Sequence, residues 1–124
     1  MRRRGRRWRH FRRSLAFPVD ITEPALADAE EYVRYIREIR KEPDAAERWF
    51  RGLVQSVYSL ENSPERCPVI PEQDEFPFEI RHLIYFSHRI IFGIERESRV
   101  VVYRIYHGAR RPLSGEDVGS EPER

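Results

Sequence analysis

A chain of 124 residues with 40% hydrophobic and 35% charged residues is one domain's worth, globular rather than fibrous by composition. No apolar run approaches the ~20 residues that a membrane span needs, and the single cysteine, Cys67, excludes an internal disulfide and a cysteine-rich zinc site. The net charge of +2 conceals a split, because residues 1–13 hold eight arginines and no acid while residues 14–124 are net −6.

Residues 1–13, MRRRGRRWRHFRR, repel themselves too strongly to fold alone. Three readings are compatible with them: a disordered extension or upstream start, an arginine-rich nucleic-acid arm with Trp8 and Phe11 for stacking, and a short transit peptide. The N-terminus is basic enough for a signal peptide, but Pro18 and Asp20 interrupt the stretch that follows. No h-region forms, and a cytoplasmic location is expected.

Leu15 to Ile21 alternates as a short strand, and Pro18 makes it an edge strand or moves its start past the proline. Thr22 is the N-cap of a helix whose apolar stripe is Leu26, Ala29, Val33 and Ile36. Glu42-Pro43-Asp44 breaks that helix, and Asp44 with Glu47 forms a capping box for the next. The second helix carries Ala46, Trp49, Phe50, Leu53, Val57 and Leu60 on one side and stops at Asn62-Ser63-Pro64. So short a break implies an antiparallel hairpin. Tyr32, Tyr35 and Trp49 are expected in its core and rim.

Pro64 to Pro77 is a loop, rich in proline and acid, that drapes over the core. Three β-runs follow: Glu79–Tyr85, His88–Arg96 and Arg99–His107. Their period-2 pattern implies one face against the helices and one partly open. In it Val101, Tyr103, Ile105 and His107 share a parity. Short connections, Phe86-Ser87 and Glu97-Ser98, make the three strands a meander. The order β-α-α-β-β-β predicts an α+β fold, a helical hairpin packed on a small antiparallel sheet. Residues 1–14 are expected to be a basic disordered extension, 15–113 the folded domain, and 114–124 a flexible acidic tail.

Within the domain, Arg81 to Arg111 carries seven arginines and two glutamates, while Glu23 to Glu47 carries eight acids and four bases. A basic sheet beside acidic helices is a clue to partners. The four histidines have no metal-ligand spacing, and no metal or other cofactor is expected. Cys67, between Arg66 and Pro68, reads as an inert loop thiol.

The element order carries a further likeness. Thr22-x-x-Ala25, Pro64-x-x-Cys67-Pro68, Ile80-Arg81-x-Leu83-x-Tyr85, His88-Arg89-Ile90-Ile91-Phe92 and the run from Val100 to Arg110 resemble the RelE/ParE superfamily of bacterial toxins, the toxic halves of type II toxin–antitoxin modules. The resemblance spans roughly Phe17 to Leu113. It implies one of two activities: ParE-like members poison DNA gyrase without doing chemistry, whereas RelE-like members are ribosome-dependent mRNA endoribonucleases.

By the second resemblance, Arg89 holds the phosphate, Arg110 stabilises transition-state charge and His107 transfers a proton, with Arg81 as a further contact. Departures weaken that set: the strands hold no lysine, no tyrosine follows Arg110, and the body is acidic, which disfavours docking on RNA. The expected reading is therefore a ParE-like toxin, a plasmid-stabilisation factor that inhibits growth and is neutralised by a cognate antitoxin. Arg81, Arg89, Arg104, Arg110 and Arg111 form the expected target- and antitoxin-binding face, with DNA gyrase or the ribosome as target and possible nucleic-acid contact through residues 2–13. The antitoxin is expected as a helix and strand laid across hairpin and sheet, meeting Arg89 and Arg110. Against this stands a plainer reading, in which Arg89 only pairs with Glu95 or a helix carboxylate and His107 is half-buried. A decayed, non-toxic binding module is a third alternative.

Overall fold

The computed structural model describes residues 16–108 and 112–118. Strand β1 (Val19–Ile21) leads into α1 (Glu23–Arg34), which continues as one wide π-helical turn, Tyr35–Ile39. Helix α2 (Pro43–Tyr58) returns antiparallel to it. A loop with short 3-10 turns then leads to β2 (Arg81–Tyr85), β3 (His88–Glu95) and β4 (Arg99–His107), followed by a single helical turn, α3 (Gly115–Val118). The sheet order is β1-β4-β3-β2. The α+β order is as expected, but the sheet is mixed: β1 lies parallel to β4, and the other pairings are antiparallel.

The strand starts after Pro18, whose carbonyl accepts the Val100 N–H at 2.8 Å. Thr22 caps α1 as expected. Its Oγ1 accepts the Ala25 N–H at 3.2 Å and donates to the Tyr103 carbonyl at 3.1 Å, so one hydroxyl ties the helix start to β4. The expected capping box at Asp44 and Glu47 does not form. Helix α2 begins two residues earlier, at Pro43, because proline's fixed φ suits a first helical position. Glu42 is the N-cap and no side chain caps it.

Two cores lie on opposite faces of the sheet. On one, Ala25, Ala29, Leu53, Val57 and Leu60 of the hairpin segment meet Ile90, Phe92, Val100, Val102 and Ile105. On the other, Ile70 and Phe76 of the loop cover Ile80, Ile91 and Tyr106, with Leu113. The face read as partly open is therefore closed by the 64–80 loop. Nor does the start of the expected tail fray: Ser114 and Asp117 are hydrogen-bonded at 2.8 Å, and Val118 packs on the second core.

The parity read for β4 breaks at a bulge. Phe92 pairs with Val102, but Ile91 pairs with Arg104, so Tyr103 and Arg104 together oppose one residue of β3. Val100 and Val102 face the hairpin, and beyond the bulge Ile105 and His107 do so too. Val101 and Tyr103 lie on the loop side, where Tyr103 meets Phe78.

Candidate functional site

The bulge decides which candidate residues meet. His88 and His107 are cross-strand partners at the end of the β3–β4 hairpin, on the hairpin side of the sheet. Their rings lie 4.7 Å apart, edge to face. Tyr32 of α1 stands 4.4 Å from the His88 ring and 6.1 Å from that of His107, and Trp49 of α2 is 5.2 Å from His88. His88 is 4% exposed, and its Nδ1 has no hydrogen-bond partner. Burial, then the neighbouring His107, push its pKa down to about 4 against a smaller opposing pull from Asp28, so the ring is neutral at pH 7.

A cavity of about 540 Å³ opens beside this pair. Asp28, Glu31, Tyr32, Tyr35, Arg40, His88, Ile105 and His107 line it. The wide turn at the end of α1 contributes to the wall: there Tyr35 accepts the N–H of Arg40 five residues on, and both side chains reach the cavity.

Arg89 does not join His107. It lies one residue from His88 and so points to the opposite face, where its Nη1 and Nη2 donate to Glu72 at 3.0 and 2.7 Å and its Nε donates to His82 Nδ1 at 3.0 Å. Its side chain is 14% exposed. The plainer reading of Arg89 is thus realised, but with a loop carboxylate rather than Glu95 or a helix acid. Arg89 holds Glu72 well below the usual carboxylate range, at about 2.

Arg104 is also internally paired. Its Nε and Nη2 grip Asp28 at 2.7 and 2.8 Å, and its Nη1 donates to the Asp117 carbonyl at 3.1 Å. Asp28 additionally accepts the Ile105 N–H, capping β4 where β1 no longer covers it. Arg81 staples the loop to β2 by donating to the carbonyls of Glu65 and Cys67 and to Glu79. Of the residues expected on one binding face, Arg81, Arg89 and Arg104 are described, and each is engaged within the fold: Arg81 with the 64–80 loop, Arg89 with Glu72 and His82, and Arg104 with Asp28 and Asp117. Arg110, Arg111 and the arm at residues 2–13 lie outside the described residues.

Cys67 is buried, and burial pushes its thiol pKa up, so the thiolate is disfavoured. Among the described residues no group of three metal-ligating side chains is gathered, and no helix is long and apolar enough to cross a membrane. A second surface feature is an apolar groove lined by Ile21, Leu26, Phe50 and Val54, among others, where the first three are exposed.

His88, Tyr32 and Trp49 were not singled out by sequence as a group with His107. The usable signal was the two-residue Phe86-Ser87 turn, which fixes His88 at the start of β3. Without the bulge, however, it would have been placed opposite Tyr106.

The family model described as "ParE toxin of type II toxin-antitoxin system, parDE" matches residues 19–112. No curated protein sequence matches the chain. A solved structure described as "Chromosomal ParDE TA system from P. aeruginosa" superposes with a TM-score of 0.58 at 20% identity, covering 74% of this chain and 96% of that one. At that identity the likeness speaks for the fold, which has the same hairpin-on-sheet architecture. The family match spans β1 to the end of the meander and beyond, and on it the chain belongs to the ParE toxin family of type II toxin–antitoxin systems.

Proposed function

We propose that this toxin arrests growth by binding a cellular protein, DNA gyrase, and not by cutting RNA, and that a cognate antitoxin neutralises it in the cytoplasm. The observation that carries the reading is the fate of Arg89. A phosphate-gripping arginine must present its donors to substrate, but here they are spent on Glu72 and His82, on the face of the sheet away from His107. Transesterification needs a cation and a proton-transfer group at one phosphate. Arg89 and His107 do not supply that pair.

The apolar groove supports the antitoxin part. Ile21, Leu26 and Phe50 are exposed beside one another, and an amphipathic helix lays its apolar face into such a groove. On this reading the antitoxin meets the groove between the two helices rather than Arg89.

Tightly controlled induction in a bacterial host tests both parts. Growth arrest relieved by co-expression of the adjacent open reading frame, with loss of supercoiling by purified gyrase on addition of the protein, is expected. Harmless induction overturns the toxin reading. Arrest with intact gyrase activity and codon-phased cuts in translated messages overturns the target and restores the endoribonuclease alternative.

A further inference from the structure

The cavity beside the histidine pair takes no part in that proposal, and its chemistry points to a ligand of its own. Its charges can be followed group by group. Asp28 is matched by the bidentate Arg104, and Arg40 is tied to Glu42 at 2.9 Å. Glu31 is exposed on α1 and makes no ion pair with another described residue. Among the described residues, one carboxylate at the cavity, that of Glu31, has no cationic partner.

The walls beside it are aromatic. Tyr32 and Tyr35 stack with centroids 5.7 Å apart and planes 29° from parallel, so they offer π-faces with negative quadrupoles. The imidazole of His88 is 96% buried, with a ring nitrogen that no group satisfies. An unsatisfied buried polar atom is costly, and a donor that reached it would recover that cost.

These features select among ligands. A phosphate or carboxylate would meet Glu31 and be repelled. An apolar side chain would leave both the carboxylate and the imidazole unanswered. An ammonium would meet Glu31 but lacks a flat face. A guanidinium is planar, cationic and rich in N–H donors, so it can stack on a tyrosine, pair with a carboxylate and donate to an imidazole together. We propose that the cavity is a docking site for an arginine side chain of a protein partner, stacked on Tyr32 and Tyr35 and paired with Glu31.

Charge around the site favours a basic partner segment over an acidic one. Helix α1 carries Glu23, Asp28, Glu30 and Glu31 against Arg34 alone. The wide turn is what brings Tyr35 and Arg40 to the cavity mouth, where Arg40, paired to Glu42, stays at the rim. The inference is independent of whether the cellular target is gyrase, so either can fail without the other.

The test is a titration of the full-length 15N-labelled chain near pH 7 with N-acetyl-argininamide, followed by the imidazole signals of His88 and His107 and the Tyr32 amide. Saturable shifts at all three are expected, with half-saturation raised at least fivefold by Glu31→Gln and by Tyr35→Ala. N-acetyl-citrullinamide, which has the same shape without the charge, is expected to leave the signals unmoved. Equal binding of arginine and citrulline, shifts from inorganic phosphate or a mononucleotide in place of arginine, or no saturable shift with any probe would each overturn the proposal. Glu31 and Tyr35 are exposed, and amide spectra of both variants report whether the fold is intact.

Discussion

Glu72 and Arg89 are joined by two charge-assisted hydrogen bonds, at 2.7 and 3.0 Å, and the same carboxylate accepts the N–H of Leu113 at 3.0 Å. One loop acid thus ties the 64–80 loop, strand β3 and the segment after β4. Both side chains are well buried, at 13% and 14% exposure. Removing one member of such a pair leaves a buried charge uncompensated. Glu72→Gln is expected to lower unfolding free energy by about 3 kcal/mol, measured by chemical denaturation. The double variant Glu72→Leu with Arg89→Met is expected to recover much of that loss. Additive losses would mean that the pair is not coupled.

Acid stability follows from the same pair and from His88. Glu72 has its folded pKa depressed to about 2, so it contributes stability above its unfolded value of 4.5 that disappears as pH falls from 4.5 towards 2. His88, depressed to about 4 from 6.5, stays neutral in the fold while the unfolded chain takes up a proton. Its contribution therefore falls between pH 6.5 and 4. Stability is expected to decline in two successive windows on acidification, each by about 3 kcal/mol. His88→Phe is expected to shrink the upper window, to which His82, also lowered by burial, still contributes, and to leave the lower one. A melting temperature constant from pH 6.5 to 4 in the native chain would contradict the burial of a neutral His88.

Gly52 of α2 is where Tyr85 comes against the helix. The tyrosine hydroxyl donates to the Trp49 carbonyl at 2.8 Å, and a Cβ on Gly52 would run into that hydroxyl, with the ring carbon behind it only 3.2 Å away. Gly52→Ala is expected to destabilise by about 1–3 kcal/mol, although alanine is the better helix former. In a Tyr85→Phe background the obstructing hydroxyl is gone. The Gly52→Ala penalty there should shrink to within about 1 kcal/mol of zero, a coupling that a double-mutant cycle reads directly.

Phe86 combines a left-handed backbone with exposure. Its φ is +53° in the two-residue β2–β3 turn, a position that favours glycine or asparagine, and its side chain is 79% exposed. Its ring touches Tyr85 but buries little. Phe86→Asn is expected to leave stability unchanged or raise it by up to about 1 kcal/mol, whereas a core phenylalanine would lose 3–5. A loss above 1 kcal/mol on denaturation would assign this ring a packing role.

Local sequence determined the elements themselves. Thr22 as N-cap, the two helices and the period-2 runs of the meander are encoded within a few residues of one another, so they read directly, although Leu26 and Phe50, read onto the apolar sides, are exposed and Ala25 is buried instead. The same residues, in order, carry the family likeness. What tertiary structure alone decided was the site. Extending the tight turn between β3 and β4 without a bulge places Arg89 opposite Ile105, on the same face as His107. The extra residue at Tyr103 and Arg104 shifts the register by one, carries His107 over to the hairpin side beside His88, and leaves Arg89 on the loop side, where the alternation of β3 puts it. A one-residue shift inverts every side chain beyond it. No local pattern marks that bulge, since Val, Tyr, Arg and Ile suit either register. It is set by long-range contacts, where Thr22 takes the Tyr103 carbonyl and Asp28 takes Arg104 together with the Ile105 N–H. Glu72 likewise stood in a segment legible only as loop, and nothing nearby in the chain announced that it would close over Arg89.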